Sequence, residues 1–236
     1  MRQQIAGLVL AGVCTLAVGC TTTVGGKAVA ADKSGPAAQN PVAVSALDGL
    51  LLDVGQINAA LGATSMRVWL NAKVMWDWST SVSDKNCLAI DGPAQEKVYT
   101  NTGWTAIRGQ RIDDSVDDSN KRSHLAIQAV VVFPSARDVS AFYDTSTQSW
   151  PACSNRRFSD INSRKPDTVW TVAASTSENG MLTTSKVQEG GDGWTCQRAL
   201  TVRNNVAIDI VTCSYSQTGS VAVDVAQQIA AKVAKQ

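Results

Sequence analysis

Six cysteines and a single histidine are the residues with the most direct covalent and acid–base chemistry in this chain of 236. Cys20 follows Leu16-Ala17-Val18-Gly19, at the end of an apolar run that starts at Ile5, with Arg2 ahead of it. A basic start and a short apolar stretch make a secretory signal, too short for a comfortable ~20-residue membrane span. A small residue directly before a cysteine is the arrangement of a bacterial lipobox. It predicts cleavage before Cys20 and transfer of a diacylglyceryl group to that thiol. Thiols that face an oxidising space pair. Cys14 leaves with the signal, so Cys87, Cys153, Cys196 and Cys213 are expected as two disulfides, with three connectivities to choose from. Zinc is disfavoured, because there is no Cys-x-x-Cys pair and one histidine is too few.

Acid–base chemistry has less to work with. His124 lies in Lys121-Arg122-Ser123-His124, and any Ser/His/Asp triad would have to run through it. No Gly-x-Ser-x-Gly elbow, Walker loop or dinucleotide fingerprint is present. His124 is therefore read as an exposed edge residue. Asp113-Asp114 and Asp117-Asp118 read as solvated turn charges rather than calcium ligands. A distant pair such as Asp91 and Glu189 keeps a glycosidase open as an alternative. The expectation is no catalytic residue, no metal and no cofactor.

Positioning falls to three segments: a signal at residues 1–19, the lipidated Cys20 with a flexible tether to residue 46, and one domain at 47–236. Residues 21–46 contain no Leu, Ile or aromatic residue and cannot bury enough apolar surface to order themselves. As a coil they reach roughly 25–30 Å. The chain carries 21 basic and 20 acidic residues, and Arg2 is the one charge before Cys20, so the mature chain is balanced. That argues against nucleic acid and against electrostatic membrane docking, leaving acyl chains as the anchor.

Within the domain, Asp53 and Gln56 resemble a capping box for a short helix ended by Gly62. Residues 66–76, 104–110 and 125–133 read as strands. Asp91-Gly92-Pro93 predicts a helix to about Tyr99, Ser135 caps a helix to Trp150, and a last helix starts near Ser220. Asn179-Gly180 turns a hairpin between 168–174 and 181–189.

The sharpest expectation concerns the strands Thr195–Arg203 and Val206–Ser214. Asn204-Asn205 between them tolerates the positive φ of a two-residue type I′ turn. Such a turn opposes Arg203 to Val206 and, counting outward, Cys196 to Cys213, on a non-hydrogen-bonded pair about 4.5 Å apart at Cα. That distance accepts a disulfide. The connectivity is then Cys196–Cys213 with Cys87–Cys153.

Two runs remain, Gly103-Trp104-Thr105-Ala106-Ile107-Arg108-Gly109-Gln110 and Gln188-Glu189-Gly190-Gly191-Asp192-Gly193-Trp194-Thr195-Cys196-Gln197-Arg198-Ala199-Leu200. With the cysteine spacing, Leu125–Phe133 and the Arg203-Asn204-Asn205-Val206 turn, they resemble the extracellular sensor domain of PknH-type mycobacterial serine/threonine kinases, here as a stand-alone lipoprotein. The likeness covers roughly residues 48–235 and includes no kinase domain. It implies an α/β (α+β) single domain, a twisted, mainly antiparallel sheet with flanking helices, two disulfides, and a V-shaped polar cleft for an unidentified ligand. Candidate cleft residues are Arg108, Glu189 and Arg198 for charged groups, Gln110, Gln128 and Gln197 for amide bonding, and Trp104 and Trp194 for stacking. The reading is a non-enzymatic, lipid-anchored sensor on the extracytoplasmic side of the cell membrane, binding a small-molecule or cell-wall ligand. Two alternatives stay open: a module that engages an envelope protein such as a kinase ectodomain, and a cell-wall carbohydrate-active enzyme.

Overall fold

Alternating side chains, one set to each face, organise this chain. The computed structural model describes residues 40–116, 121–161, 167–215, 217 and 219–236. Cys20, the chain before residue 40, and Asp117-Asp118 lie outside them. The described strands are β1 (Arg67–Ala72), β2 (Ala106–Asp113), β3 (His124–Val132), β4 (Arg157–Asp160), β5 (Thr168–Val172), β6 (Thr176–Glu178), β7 (Met181–Gln188), β8 (Trp194–Arg203) and β9 (Val206–Tyr215). They form one sheet in the order β1-β2-β3-β9-β8-β7-β5-β4, with β6 beside β7, and all these pairings are antiparallel.

Helices cover both faces. On one, Ile112, Ala126, Val130, Ala199, Ile208 and Ile210 pack under α1 (Val54–Leu61) and α5 (Val221–Val233). On the other, Ile107, Ile127, Val131, Leu200 and Val211 pack with α2 (Leu88–Asp91), α3 (Glu96–Tyr99), α4 (Ala136–Ser149) and both disulfides. Strands β3 and β9 are central and buried on both sides, which is why neither reads as a clean alternation of apolar and polar residues. The local signals are realised in several places. Asp53 and Gln56 form the capping box, Gly62 closes α1 at φ 67°, and Ser135 caps α4 through the Asp138 amide.

The two-residue turn sets the register as expected, but it is not type I′, because Asn204 has φ 53° and Asn205 does not take a positive φ. Cys196 opposes Cys213 with Cα atoms 4.0 Å apart, and the disulfide joins them. Cys87 and Cys153 form the second disulfide, linking the turn before α2 to the turn after α4.

Two expectations are corrected. Residues 91–99 are not one helix: α2 and α3 are separated by extended Gly92 and by Ala94 at φ 49°. Buried side chains compete for the backbone there. Arg198 takes the Ala89 and Gly92 carbonyls, and the Ala94 amide donates to Asp209 Oδ2 at 2.8 Å. Asn179-Gly180 closes β6 onto β7, while β5 pairs further along β7. Strand β4 carries too short a pattern to be recognised. Ahead of residue 47, the Val42 amide donates to buried Asn205 Oδ1 at 2.7 Å and the Val42 side chain is buried.

The Cys87–Cys153 bond closes a separation of 66 residues against 17 for Cys196–Cys213. By chain entropy, C87A/C153A should cost about 4 kcal/mol. C196A/C213A should cost about 3 kcal/mol or less, because the Asn204-Asn205 turn already restrains that loop. Urea unfolding of the two double variants checks the order.

Candidate functional site

Strand alternation places Leu125 and Ile127 of β3, Val211 and Cys213 of β9, and Cys196 of β8 on one face. They floor a pocket of about 240 Å³. Trp78, Trp170 and Trp194 also line it, and Asp91, Asp160 and Lys186 add polar groups. Lys186 reaches this face because it opposes Cys196 across β7–β8 and Val172 across β5–β7. Trp78 fits because Gly92 has no side chain, since a Cβ there would sit 1.9 Å from Trp78 Cζ3.

Lys186 and Asp91 are an ion pair with side chains 4% and 6% exposed. The ammonium donates to the Asp91 carboxylate and, at 2.9 Å, to the Asp91 backbone carbonyl. It also lies 4.2 Å from the Trp170 ring centroid and 5.3 Å from that of Phe158. Such contacts offset the cost of drying a lysine. Asp160 accepts from Trp170 Nε1 at 2.9 Å through Oδ2, and its buried Oδ1 has no donor among the described residues. Burial first, and then the neighbouring Asp91 charge, push the Asp160 carboxyl up to about 6 against the pull of Lys186.

A broader basin of about 850 Å³ shares Arg122 and Trp194 with this pocket and is also lined by Ser65, Asp114, Lys121, Gln188 and Tyr215. His124 Nδ1 is 2.7 Å from Asp114 Oδ2. Burial raises the Asp114 carboxyl, but hydrogen bonds from His124 and Ser123 outweigh it and leave the group below its usual range. His124 is not an edge residue, because β3 lies between β2 and β9. Asp113 is not a solvated turn charge either: it is fully buried, 2.7 Å from Arg111 Nη2 and bonded to Ser115.

The eight candidate cleft residues do not converge. Trp194 lines both pockets. Arg198 shares its face but is buried, clamped on Asp209 Oδ1 at 2.7 Å and on the Ala89, Gly92 and Ile210 carbonyls. Arg108, Gln110, Gln128 and Gln197 occupy the opposite face, under α1 and α5. There Gln128 bonds the Leu52 amide and carbonyl at 3.0 and 2.8 Å, Arg108 reaches Asp48 at 2.6 Å, and Gln197 reaches the Gly219 carbonyl at 2.7 Å. Gln110 joins Gln128 to Asn71. Glu189 is held outside by both nitrogens of Arg157, at 2.5 and 2.6 Å, which lowers its carboxyl. Trp104 packs half-buried against the core. Of the proposed glycosidase pair, Asp91 lines the pocket and Glu189 does not. Sequence reasoning missed Lys186, Asp160, Trp78 and Trp170. The available signal was Lys186, which continues the buried alternation Leu182, Thr184 with a charge.

Asp160 titrates near 3.8 when unfolded and near 6 when folded. A carboxyl raised on folding stabilises below the unfolded value and loses that stability as pH rises through the folded one. D160N keeps the acceptor for Trp170 without the charge. It should therefore add about 2 kcal/mol above pH ~6 and almost nothing near pH ~4, read from denaturation midpoints across pH.

A family model described as the PknH-like extracellular domain matches residues 42–232. Serine/threonine-protein kinase PknH of Mycobacterium bovis and that of Mycobacterium tuberculosis H37Rv are each 36% identical over 193 residues, which is 82% of this chain and 31% and 29% of theirs. The chain thus spans under a third of these relatives. The crystal structure of the extracellular domain of PknH from Mycobacterium tuberculosis superposes with a TM-score of 0.77 at 35% identity, covering 84% of this chain and 99% of that one. With fold and sequence in agreement over this span, the chain belongs to the PknH-like extracellular domain family.

Proposed function

We propose that this protein is a non-enzymatic, extracytoplasmic sensor module that binds a small ligand in the tryptophan-walled pocket and is held at the membrane by lipid on Cys20. The observation that carries the reading is the Lys186–Asp91 pair with Asp160 beside it, kept dry at the wall of an open cavity. Buried ion pairs add little net stability over apolar packing. Charges retained in that position are better accounted for by recognition. The relatives support the extracytoplasmic address, because the portion matched is an extracellular domain. Among the described residues, no helix is long and apolar enough to cross a membrane; attachment is assigned to the lipobox on the sequence Leu16-Ala17-Val18-Gly19-Cys20.

Turnover is disfavoured by the way the acid–base groups are engaged. Asp91 is committed to Lys186, and His124 is fixed by Asp114. Among the described residues no hydroxyl or thiol hydrogen-bonds to His124. We assign the implied polar cleft to the outer basin, which shares Trp194 and Arg122 with an inner pocket that has an apolar floor.

Inhibition of the lipoprotein signal peptidase should accumulate a heavier precursor on gels, and unchanged migration would refute the anchor. For the ligand, fractions of envelope extract are screened against the full chain by melting temperature, with mass spectrometry of whatever is retained. A ligand at about a hundred times its Kd adds about 2.7 kcal/mol, or roughly 5–10 °C for a domain of this size. W194A should abolish the shift while still unfolding cooperatively. A shift that survives in W194A places the ligand elsewhere.

A further inference from the structure

Two clusters of charge meet at this cavity, and they are not balanced alike. Around the outer basin, Asp113 and Asp114 face Arg111 and Arg122, with Arg111 Nη2 2.7 Å and Arg122 Nη1 3.9 Å from Asp113 Oδ2. Lys121 and Asp192 line the same basin, so carboxylates and Lys or Arg cations are equal in number there among the described residues. In the inner pocket, Asp91 and Asp160 meet Lys186, while Arg122, which also lines it, is engaged by Asp113 and Asp114. Lys186 is taken by Asp91, so the Asp160 carboxylate, its Oδ1 left without a donor, is the negative charge there with no ion-pair partner of its own among the described residues. That charge sits among indole rings, whose faces attract cations. Lys186 shows what the surroundings favour, since its ammonium is stable there against Trp170, Phe158 and Asp91.

We infer that the pocket selects a monocationic amine, its ammonium drawn to the Asp160–Asp91 side and its hydrocarbon body laid between the tryptophans and the disulfide floor. This rests on the ligand-binding reading above and narrows its chemistry. The ligand's ammonium supplies the donor that Asp160 Oδ1 lacks among the described residues. Its apolar body meets Leu125, Ile127, Val211 and the Cys196–Cys213 bridge, surfaces that offer a charged or polyhydroxylated body nothing in return. Asp160 is raised by burial and by Asp91, so a proton competes with such a ligand for its carboxylate as pH falls. The charged groups facing it are Asp91 from α2 and Lys186 from β7, with Arg122 at the pocket edge.

Benzylamine, benzyl alcohol and benzoate share a ring and differ in charge, so they test the inference directly. Each is titrated calorimetrically into the full chain in nonionic detergent. Benzylamine should bind at least tenfold more tightly than benzyl alcohol, and benzoate should not bind. D160N should weaken benzylamine about tenfold, leave benzyl alcohol unchanged and unfold cooperatively. Wild-type affinity for benzylamine, which stays protonated throughout, should fall between about pH 7.5 and about pH 5, and in D160N it should not. Equal binding of amine and alcohol, or a preference for benzoate, overturns the inference while leaving the pocket as a ligand site. Failure of all three to bind also overturns it. The broader reading falls only if, in addition, W194A leaves the extract-induced melting shift intact.

Discussion

The two-residue turn at Asn204-Asn205 is the constraint on which the rest of the structure depends. Asn204 has φ 53°, and the turn locks β8 to β9 without slippage. A slip by one residue would send every side chain of one strand to the other face. In the observed register Cys196, Arg198, Asp209, Val211 and Cys213 all point to the same side. The disulfide, the buried Arg198–Asp209 pair and the pocket floor are consequences of that single choice. Buried Asn205 extends the effect, bonding Phe133 and both backbone groups of Val42.

Two buried ion pairs on this face have different duties. Arg198–Asp209 serves the backbone: it holds the Ala89 and Gly92 carbonyls, the Ala94 amide and the Tyr99 hydroxyl, filling bonds that a continuous helix would have made. Removing either partner would orphan several groups at once. Lys186–Asp91 makes fewer such commitments and borders open space. The contrast separates a structural pair from one suited to recognition, although both are equally dry.

Much of the fold was legible because its signals are local. The capping box at Asp53, the Ser135 cap, the Asn204-Asn205 turn and the spacing of four cysteines each act within a few residues or through fixed register. The site was legible only at Trp194 and, through a different hypothesis, at Asp91. Lys186, Asp160, Trp78 and Trp170 come from four separate segments, and only the sheet order β8-β7-β5-β4 brings three of them together. Nothing in the spacing of one strand encodes its neighbours two places away. Arg198, Gln128 and Gln110 misled for a related reason. A polar residue on a strand looks the same in sequence whether it awaits a ligand or, as these do, satisfies the backbone or a neighbouring amide.

The side-chain bonds from Asn204 and Asn205 to Asn40 and Val42 fasten the entering chain to the hairpin tip, whereas the cavity lies at the far end of the same two strands. About seven residues of β8 separate them, roughly 23 Å. Tension arriving along the N-terminal segment is borne first by a few side-chain bonds at that tip, which can peel away one at a time. The crossbridged end of the hairpin is shielded from a pull applied at Asn40, so such a pull and occupancy of the cavity are mechanically decoupled.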